Sequence, residues 1–170
     1  MKKHVQNALT LHELLITLAV LSILISLIPP SYGYLVEQSR AESIRNELIA
    51  FLNHARTQAI AERNTHVLCG SSNGEKCDGG WQHHWLLIRL KDQQLVRSFT
   101  PDRQYKLCWR GFGGQNVIFR ANGMTSASNG SFTFCHHEMH WQLTLNRQGR
   151  LKKEDAEPGS ACCQTDHTDS

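Results

Sequence analysis

Four cations close together near the C-terminus form the first group of residues whose chemistry could matter. The stretch NRQGRLKKED contains Arg147, Arg150, Lys152 and Lys153, and Gly149 between them allows a turn. Clustered arginine and lysine side chains hold phosphate groups by electrostatic attraction and need not read a base sequence. The cluster therefore predicts a site for a polyanion; the alternative is a solvated strand end without a ligand.

A second basic stretch, between residues 89 and 120, could enlarge that surface. Its seven cations face two aspartates, a local surplus of five positive charges. Four of these cations are candidate extensions of the site: Arg103, Lys106, Arg110 and Arg120. They can contribute only where their side chains share a face with the first cluster. Acidic residues at 154, 155 and 157 follow that cluster at once and would partly neutralise it.

A single carboxylate, Glu13, interrupts an apolar run near the N-terminus. The run from Leu9 to Ile28 has about 20 residues, enough to span a bilayer. An ionised acid at the centre of a membrane helix costs roughly 2.5 kcal/mol or more, so it needs a partner or a place at the membrane edge. Two prolines follow the run without a small-residue cleavage motif, which favours an anchor over a cleaved secretion signal.

Six cysteines indicate an oxidising compartment. Cys69 and Cys77 flank a loop whose glycines let it close on itself, and a disulfide there would stabilise the fold by about 2–3 kcal/mol. Cys108 and Cys135, each at a predicted strand end, form the second predicted pair. The remaining two lie in a polar tail and could pair with a core cysteine or stay free; these are Cys162 and Cys163.

The histidines do not predict a metal site. The stretch HHEMH brings His136, His137 and His140 together, but Met139 alone separates Glu138 from the next histidine, where the zinc-protease motif needs two residues. Alternation along a strand would place neighbouring histidines on opposite faces. The serines cluster in Gly/Asn-rich loops without a partner base. We therefore predict no enzyme activity, no cofactor and no metal.

The elements that must position these groups are a long helix followed by strands. Apolar residues recur in steps of three and four between Ala41 and Ala59, which predicts an amphipathic helix ending near Asn64. Joined to the apolar run, it would form one rod about 80 Å long from residue 9 to 63, bent or loosened by Pro30. Net charge is only +3, so a nucleic-acid hypothesis must depend on local clusters.

From Thr65 onward, short segments rich in β-branched and aromatic residues alternate with Gly/Asn/Ser-rich turns. These are THVLCG, WLLIRL, QLVRSFT, NVIFRANG, SFTFC and HWQLTLN. Since no helix intervenes, we predict an α+β fold in which the helix packs on an antiparallel sheet. The predicted segments are a leader (1–8), an apolar helix (9–30), an amphipathic helix (31–63), a β domain (64–157) and a flexible tail (158–170).

The N-terminus resembles the type IV prepilin signature, in which a basic leader ends in glycine before Phe-Thr-Leu-Ile-Glu and an apolar helix. Ala8 stands in the place of the glycine, Leu9 becomes the first mature residue, and Glu13 falls on the glutamate. Pro30 falls where many pilins carry a helix-kinking proline. The resemblance implies that the prepilin peptidase cuts between Ala8 and Leu9. It also implies that Glu13 pairs with the N-terminal amine of a neighbouring subunit.

The rest of the chain, up to about Lys153, is similar to the FimT/GspH group of minor pilins and pseudopilins. The shared elements are an Ala-Arg-x-x-Ala helix end, Arg-Asn, a Val-x-Leu-Cys strand, a second cysteine and a tryptophan. They fall here on Ala55, Arg56, Ala59, Arg63, Asn64, Val67, Cys69, Cys77 and Trp81. The stretch GRLKK resembles the Gly-Arg-x-Arg element of FimT proteins that act in DNA uptake, with Lys152 in place of the final arginine.

This resemblance implies a type IV pilin-like fold with a half-transmembrane N-terminal helix. The subunit would sit in the inner membrane with its globular domain in the periplasm, and then in a pilus at the cell surface. Its partners would be major and minor pilins, the prepilin peptidase, the inner membrane and double-stranded DNA, bound nonspecifically during natural transformation. The alternative is a structural pseudopilin of a type II secretion system, or a pilus-priming subunit, that binds no nucleic acid.

Overall fold

The computed structural model describes residues 10–26, 29–101, 105–125, 128–136 and 139–155. Within these ranges the chain forms two helices and eight strands. The helices are α1 (Leu11–Ser26) and α2 (Pro29–Ala61). The strands are β1 (His66–Ser71), β2 (His84–Arg89), β3 (Gln94–Phe99), β4 (Lys106–Gly111), β5 (Asn116–Phe119), β6 (Gly130–His136), β7 (Met139–Leu145) and β8 (Leu151–Asp155).

Helix α1 begins with a reciprocal cap. Thr10 donates from its backbone N and from Oγ1 to Oε2 of Glu13, both at 3.0 Å, and its Oγ1 accepts from the Glu13 backbone N at 3.3 Å. This Ser/Thr-x-x-Glu capping box satisfies two amides that a helix start otherwise leaves without partners. No helix in the part of the chain described here combines the length and the apolar character needed to cross a membrane.

Helix α2 is terminated by a residue in the left-handed backbone conformation. Arg63 has a φ of 49°, and its backbone N donates to the carbonyl of Ile60 at 3.2 Å. The next amide, of Asn64, donates to the carbonyl of Ala59 at 3.1 Å. Together these bonds form a Schellman-type C-terminus, three residues from the predicted stop. The chain divides into two compact units, Met1–Arg40 and Ala41–Ser170.

The strands form two antiparallel sheets of four strands each. Sheet A has the order β3-β2-β1-β5, and sheet B has the order β4-β6-β7-β8. All six predicted β segments contain strands. None of these six segments covers β8 or β4, for which the sequence predicts only a strand end at Cys108. The second sheet exists because these two strands add to β6 and β7.

One core joins α2 and both sheets. The predicted stripe of the helix is buried along its whole length: Ala41, Ile44, Leu48, Leu52, Ala55 and Ala59. Sheet A contributes Leu68 and Trp85, and sheet B contributes Phe132 and Trp141. The indole Nε1 of Trp141 donates to the carbonyl of Ala41 at 3.0 Å, which ties sheet B to the helix.

Candidate functional site

The basic turn, residues 146–150 between β7 and β8, has a closed backbone conformation. The side chain of Asn146 accepts hydrogen bonds from the amides of Gln148 and Arg150 at 3.0 and 2.9 Å. Its backbone N and O close the turn against Arg150 and Gly149 at 3.0 and 2.9 Å. Gly149 has a φ of +75°, a conformation that a side chain disfavours. The turn therefore holds the exposed side chains of Arg147 and Arg150 on a rigid backbone.

Two distant parts of the chain brace the basic turn. The amide of Thr125 donates to the carbonyl of Arg147 at 3.1 Å, and its hydroxyl donates to the carbonyl of Asn146 at 2.9 Å. From helix α2, Nη1 of Arg56 donates to the carbonyl of Gly149 at 3.1 Å. Sequence reasoning did not find these bracing roles. The one signal was Arg56 within the Ala-Arg-x-x-Ala element, between two buried alanines.

Arg120 lies on the turn next to the basic turn. Its amide donates to the carbonyl of Met124 at 2.9 Å, and its carbonyl accepts from Gly123 at 2.8 Å. Thr125, which bonds the basic turn, follows directly and forms a bridge with Phe119. The exposed Arg120 is therefore the candidate extension that the fold brings to the same end of the domain as Arg147 and Arg150.

The two lysines of the cluster lie on β8. The last segment predicted as a strand is HWQLTLN, so the sequence places these lysines after the final strand. Register places Lys152 opposite Thr144 and Lys153 opposite Leu143, so their side chains leave opposite faces of sheet B. The Nζ atom of Lys152 lies 2.6 Å from Oε1 of Glu154. Hydrogen bonds from Lys152 and then from Thr144 lower the pKa of Glu154. Glu154 is therefore ionised at neutral pH and offsets the charge of Lys152.

Two other candidate extensions, Lys106 and Arg110, are more distant. Lys106 and Arg110 alternate with the buried Leu107 on β4, so they share the outer face of sheet B with Lys152. They lie on the opposite edge strand. Arg110 is in line with Lys152, about 14 Å away across three inter-strand spacings, and Lys106 lies four residues farther along β4. Arg103 lies outside the described residues.

Arg89, which contributed to the predicted basic surplus, is held by two acids. Its Nε lies 2.6 Å from Oε2 of Glu62, and its Nη1 lies 3.0 Å from Oδ2 of Asp92. The hydrogen bond from Arg89 is the main reason that the pKa of Glu62 is lowered. The sequence counted Arg89 as part of the local surplus, but these contacts give it a structural role at the end of α2.

The structure contains the predicted Cys69–Cys77 disulfide, with an S–S distance of 1.97 Å. The carboxylate of Asp78 closes the same loop by accepting from the amides of Ser72 and Gly80, both at 2.9 Å. These hydrogen bonds, with the one to Gly80 the largest, lower the pKa of Asp78. The loop is therefore closed both by a disulfide and by hydrogen bonds to the Asp78 carboxylate.

Cys108 and Cys135 are each disulfide-bonded. Register sets Cys108 opposite Thr133 and Cys135 opposite Lys106, so the two cysteines are diagonal neighbours on one face of sheet B. Diagonal neighbours lie about 7–8 Å apart, farther than the about 5.5–6 Å usual between the Cα atoms of a disulfide. This register disfavours the predicted direct bond between them. Cys162 and Cys163 lie outside the described residues.

The residues predicted for processing and assembly lie in the N-terminal unit. Ala8 and Leu9 lie outside the described residues. Glu13 caps the first turn of α1, and Pro30 is the second residue of α2. Residues 27–28, between the two helices, are not described, so the single continuous rod stays a prediction. In the described ranges, no group of three or more His, Cys, Asp or Glu is placed to hold a metal ion.

Comparison with known proteins identifies the family. The family model of type II transport protein GspH matches residues 45–149, more than half of the chain. No curated protein matches significantly.

Two solved structures share the fold. The type IV minor pilin FimU of Pseudomonas aeruginosa is 21% identical, with a TM-score of 0.56 over 79% of this chain and 100% of that one. The minor pseudopilin EpsH of the Vibrio cholerae type II secretion system is 10% identical, with a TM-score of 0.53 over 72% and 98%. The protein is therefore a member of the GspH family, with the fold of minor pilins and pseudopilins.

Proposed function

We propose that this chain is a minor pilin that binds double-stranded DNA nonspecifically during DNA uptake in natural transformation. The observation that carries the proposal is the basic turn, which presents Arg147 and Arg150 on a braced backbone. In the part of the chain that the structure describes, neither arginine has an acidic partner. Arg120 and Lys153 would add contacts, whereas the ion pair with Glu154 reduces the contribution of Lys152.

Binding at such a site would depend on phosphate contacts and not on base edges. Guanidinium groups can bind phosphate oxygens in a bidentate way, and a rigid turn limits the backbone ordering that binding requires. Three to four contacts predict a slope of log K against log salt of about −2.7 to −3.6. Affinity should then fall about 40- to 150-fold between 50 and 200 mM salt.

The same proposal includes assembly through the N-terminus. The leader would be cut by the prepilin peptidase between Ala8 and Leu9, and the apolar segment would anchor the subunit in the inner membrane. Glu13 would then leave its contact with Thr10 and pair with the amine of a neighbouring major or minor pilin. An acid and an amine that meet in a low-dielectric environment recover much of the cost of burying either one. After assembly the domain would lie on a pilus at the cell surface.

The test is a DNA-binding titration with the full chain in mild detergent. Fluorescence anisotropy of a labelled duplex would be measured at several salt concentrations. Arg147→Gln with Arg150→Gln should weaken binding at least tenfold and make the salt slope shallower by about two. The matched control, Lys76→Gln with Lys91→Gln, removes two exposed cations from other loops and should change neither value by much. Equal losses in both double variants would refute the assigned site.

A structural pseudopilin without DNA binding is the second candidate. The family match and the fold that the chain shares with EpsH support it. So does the ion pair between Lys152 and Glu154, which leaves the basic surface smaller than the sequence suggests. Wild-type protein without any salt-sensitive DNA binding would favour this candidate. Secretion genes next to the coding sequence, in place of pilus and competence genes, would point the same way.

A further inference from the structure

The side chain of Arg56, on helix α2, reaches two turns: the basic turn and the turn at residues 120–124. Its Nη1 donates to the carbonyl of Gly149 at 3.1 Å. Its Nε lies 3.3 Å from the point where a Cβ on Gly149 would lie, and 3.2 Å from the corresponding point on Gly123. The Arg56 side chain thus occupies space that a side chain at either glycine would restrict.

The two glycines cannot be exchanged for larger residues without moving Ile60, Arg56 or one of the turns. Both have positive φ, +74° at Gly123 and +75° at Gly149. A Cβ on Gly149 would lie 2.6 Å from the carbonyl oxygen of Gly123, and one on Gly123 would lie 2.7 Å from Cδ1 of Ile60. The Arg56 side chain is therefore packed against both turns while it donates to the Gly149 carbonyl.

Among the residues that the structure describes, no acid offsets the charge of Arg56. Over the described ranges it makes no ion pair, and its polar contact is the carbonyl of the basic turn. A partly buried guanidinium beneath a turn that carries Arg147 and Arg150 raises the local positive potential. Like charges gathered in this way repel one another until an anion binds.

We propose that Arg56 is a positioning residue for DNA binding: it holds the basic turn by the Gly149 carbonyl in the conformation that presents Arg147 and Arg150 to phosphate. This inference rests on the proposed function, since DNA is the ligand. It goes beyond that function because it makes the affinity of the basic turn for DNA depend on a hydrogen bond from Arg56, ninety-three residues before Gly149. Arg56 itself need not touch DNA.

The test compares two variants with the full chain in mild detergent. Arg56→Met keeps the length of the side chain but removes its donors and charge; Arg56→Lys keeps a donor and the charge. Arg56→Met should weaken binding of a labelled duplex about tenfold. The salt slope should become shallower by well under one, because a charge near the site is removed but no phosphate contact is lost. Arg56→Lys should restore the affinity to within about threefold. Hydrogen exchange of residues 146–150 should rise in Arg56→Met and return in Arg56→Lys.

The possible outcomes separate this inference from the proposed function. Wild-type binding that Arg56→Met leaves intact, or unchanged exchange in the turn, would overturn the role of Arg56 alone. A slope made shallower by about one would also overturn it, since Arg56 would then contact phosphate directly. Absence of wild-type binding would overturn both proposals. Lys91→Met is the control, because it removes one exposed cation from the β2–β3 turn.

Discussion

Replacing Gly149 with alanine should destabilise the domain by an amount that the structure lets us divide into two parts. The first part is backbone strain, because a residue with a side chain at a φ of +75° costs about 1–2 kcal/mol. The second is steric, because the new Cβ would lie 2.6 Å from the carbonyl oxygen of Gly123. Forcing an extra carbon into a filled site costs about 1–3 kcal/mol. The expected total is about 2–5 kcal/mol.

Gly114 supplies the matched control. Its φ is +96°, so alanine there meets the same kind of strain, but apart from its chain neighbours no residue has an atom within 4 Å of its Cβ position. Gly114→Ala should therefore cost about 1–2 kcal/mol, from the strain alone. Urea unfolding of the full chain, followed by tryptophan fluorescence, would measure both. The difference between the two variants isolates the contact between the two turns.

Equal destabilisation by the two substitutions would refute the close packing of the 120–124 and 146–150 turns. The DNA titration gives an independent readout. Gly149→Ala should weaken binding because the turn must shift to accept the Cβ, whereas Gly114→Ala should not. A Gly149→Ala protein that is destabilised but binds DNA normally would separate the stability of the turn from its proposed function.

Three further predictions concern the rest of the domain. Partial burial lowers the pKa of His54. The unfolded chain therefore binds a proton more readily, and the free energy of unfolding should fall as pH drops below about 6.5. In His54→Gln the urea midpoint should depend less on pH between about 7 and 5. Loss of the Cys69–Cys77 disulfide through Cys77→Ser should cost about 2–3 kcal/mol in urea under oxidising conditions. Trp141→Phe removes a buried hydrogen bond to the Ala41 carbonyl and should cost about 1–3 kcal/mol in the same assay.

Each of these has an outcome that would contradict it. If His54→Gln lost as much stability on acidification as wild type does, the effect would belong to other titratable groups. Cys77 is exposed whereas Cys69 is buried, so serine at 77 removes the bond without burying a hydroxyl; equal stability of wild type and Cys77→Ser would show that the bond contributes little. A Trp141→Phe protein as stable as wild type would mean that the indole hydrogen bond has no net effect.

The helix and most strands could be predicted from the sequence because their patterns are local. The three- and four-residue steps from Ala41 to Ala59 coincide with the buried face of α2. Strand β8 could not, since Leu151–Asp155 contains four charged residues and no alternation of apolar side chains. Its conformation depends on pairing with β7, from Leu145 opposite Leu151 onward, and that pairing is a tertiary effect.

The candidate site could likewise be predicted only in part from the sequence. The charges of Arg147 and Arg150 are visible in the sequence because they are close together, and Gly149 marks the turn. The contacts of Thr125 and Arg56 with that turn connect residues 21 and 93 positions apart. Such contacts follow from how the two sheets and the helix pack, which no local pattern contains. The same limit applies to cysteine pairing, because the diagonal register of Cys108 and Cys135 appears only once β4 pairs with β6.

The lysines of β8 have a second consequence, which concerns aggregation. Among the described strands, β8 lies at an edge of sheet B, and an edge strand offers backbone groups to which another chain can add a strand. Lysine and glutamate side chains along such an edge hinder that addition, so the LKKED sequence protects the domain against strand-to-strand aggregation. Neutralising Lys152 or Lys153 would then lower solubility as well as any affinity for DNA. Light scattering should accompany every such variant, because a chain lost to aggregates would otherwise be mistaken for one that no longer binds.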